Sequence, residues 1–324
     1  MKKWTIFLAI LLLVQVGAAI GLNMNRQQLA PFTPEESLLN VDTHGVDRIV
    51  IQGSGDARVV LEKKDSSWLL PDYYGAAADR KNVQAFLDKL AGLKKGLPVA
   101  TTKEAADRFR VSEETFERHI TLFSGANQVG ELFVGTSPGF RKVHVRLPGS
   151  SEVLAVRFAS YEAGVRPEDW LDKKILALDS KRIQRMELPA VTLVRKGDTM
   201  TVDGLAEEEE SIQAEVDKVV DRVATLEVRA ILGRENKPEY RQDSPVLTIE
   251  VQTDEEKKRT YVFSEPEKEG YLVLKVSDND LYFKVESWQV NPLKDLKREK
   301  LVRRRKQDDK PADAATTTQE APKQ

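Results

Sequence analysis

The chain has 324 residues and no cysteine. That excludes disulfides, thiol catalysis, thiolate zinc sites and anchoring through a lipidated N-terminal cysteine. It also leans weakly toward an oxidising compartment, the cell envelope. Histidine is scarce: His44, His119 and His144 are the whole set. His119 precedes Ile120 and Leu122, and His144 sits between Val143 and Val145. Strand alternation therefore turns both imidazoles toward solvent, and two such histidines without a nearby carboxylate make a poor zinc site. There is no Gly-x-Ser-x-Gly elbow, phosphate-binding P-loop or His-Glu-x-x-His pair. The sequence names no catalytic residue, no cofactor-binding residue and no metal ligand, and it reads as a non-enzyme that needs no cofactor.

Charge imbalance is missing too. The formal net charge is −2, and without Lys2 and Lys3 the remainder is mildly acidic. A dedicated nucleic-acid partner is excluded on that ground, because phosphates demand a basic surface. Gly135-Thr136-Ser137-Pro138-Gly139 is the most glycine-rich loop. It feeds a strand and not a helix, so it reads as a hairpin connection and not a phosphate cradle. Glu207–Glu210 reads as the acidic opening of a helix, stabilised by the helix dipole. Trp68, Trp170 and Trp288 are spread out and read as core or junction aromatics.

What the chain does have begins at its start. Met1-Lys2-Lys3 precedes the apolar run Trp4–Leu22, nineteen residues with no charge. As a helix it spans about 28 Å, close to the hydrocarbon thickness of a bilayer. The lysine pair keeps the N-terminus cytoplasmic and exports the body. Residues 1–22 read as a transmembrane anchor or a signal peptide, since Gly17-Ala18-Ala19 could serve as a cleavage site. Residues 23–43 read as a polar linker with Pro31 and Pro34. Residues 303–324 read as a disordered tail, opened by Arg303-Arg304-Arg305-Lys306.

Between these ends the chain states one pattern twice. Val83-Gln84-Ala85-Phe86-Leu87-Asp88-Lys89-Leu90 reappears as Ile212-Gln213-Ala214-Glu215-Val216-Asp217-Lys218-Val219. Both carry apolar residues at i, i+4 and i+7, the mark of an amphipathic helix. The flanks match in order. Val59–Leu70 aligns without a gap on Val191–Val202, strand, polar turn and returning strand. Downstream, Ile120–Leu122 matches Leu247–Ile249, Leu132–Val134 matches Tyr261–Phe263, and Val143–Leu147 matches Leu272–Val276. Tyr240-Arg241 stands near Phe109-Arg110. Each copy is expected to close on a short helix, Asp169–Leu176 in the first and Asp295–Val302 in the second.

The fold class expected is α+β: two tandem repeats, residues 44–178 and 179–302. Each is a mainly antiparallel sheet covered by one principal amphipathic helix.

The N-terminal run, Val59–Trp68, the helix Val83–Leu93, Leu132-Phe133-Val134-Gly135, Val143–Ser150 and Trp170–Leu176 together resemble the bacterial family of domain of unknown function 4340. Members often carry Tyr-Gly-Leu where this chain has Phe109-Arg110-Val111. The shared motifs are packing and turn motifs, so they imply a fold and no activity. The family's genes often stand beside ABC-type export permeases and gliding-motility-like components. The resemblance therefore implies an accessory subunit on the outer face of the bacterial inner membrane. Its partners would be that membrane and an ABC-type permease or another envelope protein; no small-molecule ligand is identified. The alternative is an envelope ligand-binding or hydrolytic protein with a cleft between the repeats.

Overall fold

The computed structural model describes residues 36–267 and 270–305, with Trp4, Leu12 and Gln15 besides. The expected membrane segment as a whole, most of the linker and the tail beyond residue 305 lie outside the described residues. Among the described residues no helix is long and apolar enough to cross a membrane. The chain divides into two compact units. One comprises the residues up to Asp72 and Arg80–Trp170; the other comprises Tyr73–Asp79 and Leu171 onward.

The first unit opens with β1 (Arg48–Gly53), β2 (Arg58–Lys64) and β3 (Ser67–Leu70), a meander of antiparallel strands. In β1 the buried residues Ile49 and Ile51 alternate with half-exposed Arg48, Val50 and Gln52, the period of two that a one-sided sheet requires. Asp65 turns β2 into β3 at φ 56°, a left-handed position that Asp tolerates. After a two-residue strand, β4 (Ala76–Ala77), comes α1 (Arg80–Ala91). It buries Val83, Phe86, Leu87 and Leu90, one face of the helix, and it ends as the Gly92 N–H reaches the Asp88 carbonyl at 2.9 Å. Phe86 meets the edge of the Trp170 ring at 5.1 Å between centroids.

Then follow β5 (Pro98–Ala100) and α2 (Lys103–Arg108). Thr102 caps α2, its hydroxyl accepting from the Ala105 N–H at 3.2 Å. β6 (Arg118–Ser124), β7 (Asn127–Val134), β8 (Val143–Arg146) and β9 (Val153–Val156) complete the unit. Its strands lie in the order β3-β2-β1-β6-β7-β8-β9-β5, and the pairings from β2 through β9 to β5 are all antiparallel.

The second unit has β10 (Ile183–Leu188), β11 (Val191–Lys196), β12 (Thr199–Val202), β13 (Glu209–Ser211), α3 (Gln213–Ala224), β14 (Ala230–Gly233), β15 (Leu247–Thr253), β16 (Lys258–Ser264), β17 (Tyr271–Val276), β18 (Tyr282–Glu286), α4 (Ser287–Lys294) and β19 (Val302–Arg304). Its main sheet runs β12-β11-β10-β15-β16-β17-β18-β14. Strand for strand this is the order found in the first unit. α3 buries Val216, Val219, Val220 and Val223, as α1 buries its apolar face. The architecture is thus mixed α+β on antiparallel sheets.

Three local expectations are corrected. Asp169–Leu176 is not an α-helix. A single 3-10 turn, Pro167–Asp169, precedes Trp170, and the Asp172 carboxylate then accepts from the Lys174 N–H at 3.0 Å, favouring a turn. The closing helix of the second unit lies earlier than expected, at Ser287–Lys294, and only a 3-10 turn, Arg298–Lys300, follows it. Pro292 lies inside that helix, where it removes a donor and limits its length. Finally, Glu209–Ser211 is a strand and not the opening of α3. It pairs antiparallel with β19, setting Glu209 opposite Arg304 and Glu210 opposite Arg303.

Candidate functional site

The register of the first sheet lays three rows across the face opposite α1. Glu62, Arg48 and Phe123 form one row. Val60, Val50, Thr121 and Glu131 form the next. Arg58, Gln52, His119, Phe133 and Arg146 form the third. At the β7–β8 end this face is covered. Phe133 and Val153 are buried with Ala106 of α2 and Val111, and Phe109 and Phe116 pack against them. Arg146 is buried there as well. Its Nε donates to the Val111 carbonyl at 2.7 Å and its Nη1 to the Ser150 carbonyl at 3.1 Å, so it holds two loops to the sheet.

At the β1–β2 end the face is open. A cavity of about 390 Å³ lies over Arg48, Gln52, Arg58, Glu62, Asp72 and Phe123. The Arg48 guanidinium sits 4.1 Å from the centre of the Phe123 ring. Its Nε is buried without a hydrogen-bond partner among the described residues. Arg58 and Asp72 form an exposed ion pair at 3.3 Å. Two guanidiniums and two carboxylates around an aromatic ring make a surface for polar recognition.

His119 stands between the open and covered ends. Its ring stacks on Phe133 at 4.4 Å and 12°. Nε2 lies 2.6 Å from Glu131 Oε1, and Nδ1 lies 3.0 Å from Gln52 Oε1. Each ring nitrogen thus lies within hydrogen-bond distance of a side-chain oxygen, with the tautomer deciding which nitrogen donates. Strand alternation alone turns this histidine toward solvent and gives it no carboxylate. The side chain is in fact half-buried, and its carboxylate comes from the neighbouring strand. His144 departs further: it is buried, with Nδ1 3.0 Å from Thr136 Oγ1 and its ring 4.1 Å from Phe109. Burial lowers its pKa below the ordinary imidazole value, partly offset by the Thr136 backbone. His44 is exposed, its own N–H donating to Asp42 at 3.0 Å. Among the described residues no three potential metal ligands converge.

The Gly135–Gly139 loop joins β7 to β8. Thr136 N–H donates to the Phe109 carbonyl at 2.9 Å, and His144 N–H to the Thr136 carbonyl at 2.8 Å. Trp170 is buried, its indole N–H donating to the Gly164 carbonyl at 2.9 Å, whereas Trp288 is 69% exposed.

In the second unit, two groups of ion pairs each hold a carboxylate far below its ordinary pKa. Arg182 Nε lies 3.1 Å and 3.2 Å from the two Asp254 oxygens, and its Nη2 meets Glu255. Lys257 and Arg182 hold Glu255 down to about 2. A cavity of about 490 Å³ lies beside this network. In the β13–β19 ribbon, Arg298 grips Glu209 with two nitrogens at 3.0 Å and 2.6 Å. That grip, with the Ala206 N–H, lowers Glu209 to about 2.

A family model described as a domain of unknown function (DUF4340) matches residues 68–245, more than half of the chain and parts of both units. No curated protein and no solved structure matches.

Proposed function

Because this chain belongs to the DUF4340 family, whose description carries no activity, we propose a function from the chain's own features: a membrane-anchored envelope protein that binds a partner and does no chemistry. The observation that carries this reading is the uncharged run Trp4–Leu22 behind Lys2 and Lys3. Its length and flank fit a single inner-membrane span with the body on the periplasmic side. The matching strand orders and the matching helices α1 and α3 support a further reading, that the two units are tandem copies of one ancestral domain. The open end of the first sheet's outer face, with the unpartnered Arg48 Nε, is the surface we assign to polar recognition. The partner class is an envelope transport assembly, in particular an ABC-type permease, which is what the family resemblance implies.

Affinity purification of the intact protein from membranes in mild detergent tests this. Permease subunits should co-purify, and Arg48→Ala should weaken their recovery. Repeated recovery of the protein alone, or its presence in the soluble cytoplasmic fraction, sinks the proposal.

A further inference from the structure

The two main sheets place an arginine at the same point and treat it differently. In the first, Arg48 of β1 lies opposite Glu62 of β2; in the second, Arg185 of β10 lies opposite Val194 of β11. The pairings match from there. Val50 lies opposite Val60 as Glu187 lies opposite Thr192, and Pro71 follows β3 as Asp203 follows β12. Arg185 spends its donors inside its own unit. Its Nε donates to Glu187 Oε1 at 2.7 Å and its Nη1 to Asp203 Oδ2 at 3.3 Å. At Arg48 neither acid is present. Val50 stands in the place of Glu187 and Pro71 in the place of Asp203, and both line the cavity over the open face. The Arg48 guanidinium bonds to no described residue. Its Nε, the atom that Glu187 satisfies in the other sheet, is buried without a partner. Glu62 lies opposite in register but forms no ion pair with it, and Asp72 is held by Arg58. What fixes Arg48 is Phe123, whose ring lies under the guanidinium at 4.1 Å. That contact uses the flat face of the group and leaves its N–H edge unspent.

We propose that the partner supplies what this sheet lacks: an aspartate or glutamate carboxylate that enters the cavity beside Val50 and Pro71 and pairs with Arg48. The inference rests on the assignment of the open face as the recognition surface, and it names the group recognised there. A guanidinium's fork of donors matches the two oxygens of a carboxylate, which a neutral amide or a backbone carbonyl does not. An arginine held over an aromatic ring with its donors unspent is also the kind of side chain that anchors protein interfaces. The second sheet closes the same position with its own acids, so it offers no equivalent contact.

Arginine-labelled full-length protein in mild detergent tests this through the Nε–Hε magnetic resonance signals of its arginines, with Arg48→Lys identifying that of Arg48. The probes are two capped pentapeptides, Ser-Gly-Glu-Gly-Ser and Ser-Gly-Gln-Gly-Ser, at about 10 mM, the range of a single charge-assisted contact. The glutamate peptide should move the Arg48 signal at least about threefold further than the glutamine peptide does, and at least about threefold further than it moves the signal of exposed Arg157. Val50→Glu with Pro71→Asp rebuilds the acids of the second sheet. It should shift the Arg48 signal without any peptide and cut the peptide response about threefold or more. Equal movement with both peptides, movement no larger than at Arg157, or an undiminished response in the folded double variant overturns the inference. The peptide comparison uses the unsubstituted chain, so it decides even where the double variant does not fold. Loss of partner recovery in Arg48→Ala beside an unmoved Arg48 signal overturns this inference alone and spares the recognition surface. Unchanged recovery beside a moved signal overturns that surface as the partner's site and upholds its preference for a carboxylate.

Discussion

Tyr73 holds Ile231 by both polar groups of its backbone. Its hydroxyl accepts from the Ile231 N–H at 2.7 Å and donates to the Ile231 carbonyl at 3.0 Å. Both residues belong to the second unit, although 158 positions separate them in the chain. Ile231 lies in β14, the terminal strand of that sheet, and its polar groups point outward from it. One phenol thus does for that edge what a neighbouring strand would do.

Tyr73→Phe keeps the ring and removes both bonds. Leaving a half-buried donor and acceptor unmatched should cost about 1–2 kcal/mol. Urea unfolding should show a lower midpoint with an unchanged slope, and the Ile231 amide should exchange faster. An unchanged midpoint would mean that water replaces the hydroxyl without loss.

Gly135 and Gly139 bound the same loop and should respond differently. A Cβ on Gly135 would stand 2.1 Å from the Phe109 carbonyl oxygen and 2.3 Å from that of Arg110. Both obstacles are backbone, so they cannot swing aside. Gly135→Ala should destabilise the first unit by about 2 kcal/mol or more, the range of overpacking and strain. A Cβ on Gly139 meets nothing within 4 Å, so Gly139→Ala should stay within about 0.5 kcal/mol. Thermal unfolding of the two variants side by side checks the contrast.

Leu87 is 1% exposed on the apolar face of α1. Leu87→Ala should cost about 3 kcal/mol through lost transfer energy and the cavity left behind. Val216, fully buried at the corresponding place in α3, loses fewer carbons, so Val216→Ala should cost about 2 kcal/mol. Chemical denaturation that ranks them in the opposite order would show that the second core collapses less readily than the first.

The elements with strong periodicity were legible without coordinates. Val83, Leu87 and Leu90 mark a helix face, so local pattern and burial agree; in β1 the apolar Val50 stands between Ile49 and Ile51, so the alternation is imperfect in the sequence and is plain only in the burial. Even the pairing of Phe109-Arg110 with Tyr240-Arg241 has a physical counterpart: Arg110 and Arg241 both take left-handed backbone, at φ 57° and 50°. What escaped were relationships set by distant partners. Glu209 looked like a helix opening because its arginine, Arg298, lies 89 residues away. His119 looked solvated because Glu131 reaches it only across the β6–β7 register, which periodicity does not fix. The open ledge around Arg48 was hidden for the same reason, since its three rows exist only once the strands are paired.

The Glu209–Arg298 pair makes a claim about acid. Glu209 titrates at about 2 in the folded chain, held down first by Arg298 and then by the Ala206 N–H. In the unfolded chain a glutamate titrates near its ordinary value of about 4.3. A depressed folded pKa means that the unfolded state takes up the proton first. The pair's stabilisation is therefore complete above about pH 4.3, and it is lost as the pH falls toward 2. Glu209→Gln removes this contribution at every pH. The variant should be less stable than the parent at pH 7, and the two should converge as the pH approaches 2. Both pair members are partly solvent-exposed, so salt should narrow the gap at pH 7. Glu255, also held to about 2, keeps the same sign in both proteins, so the variant retains a shallower acid slope of its own. Urea midpoints at pH 7, 4 and 2.5 decide the matter: parallel curves for parent and variant would mean that Arg298 does not hold the carboxylate in solution.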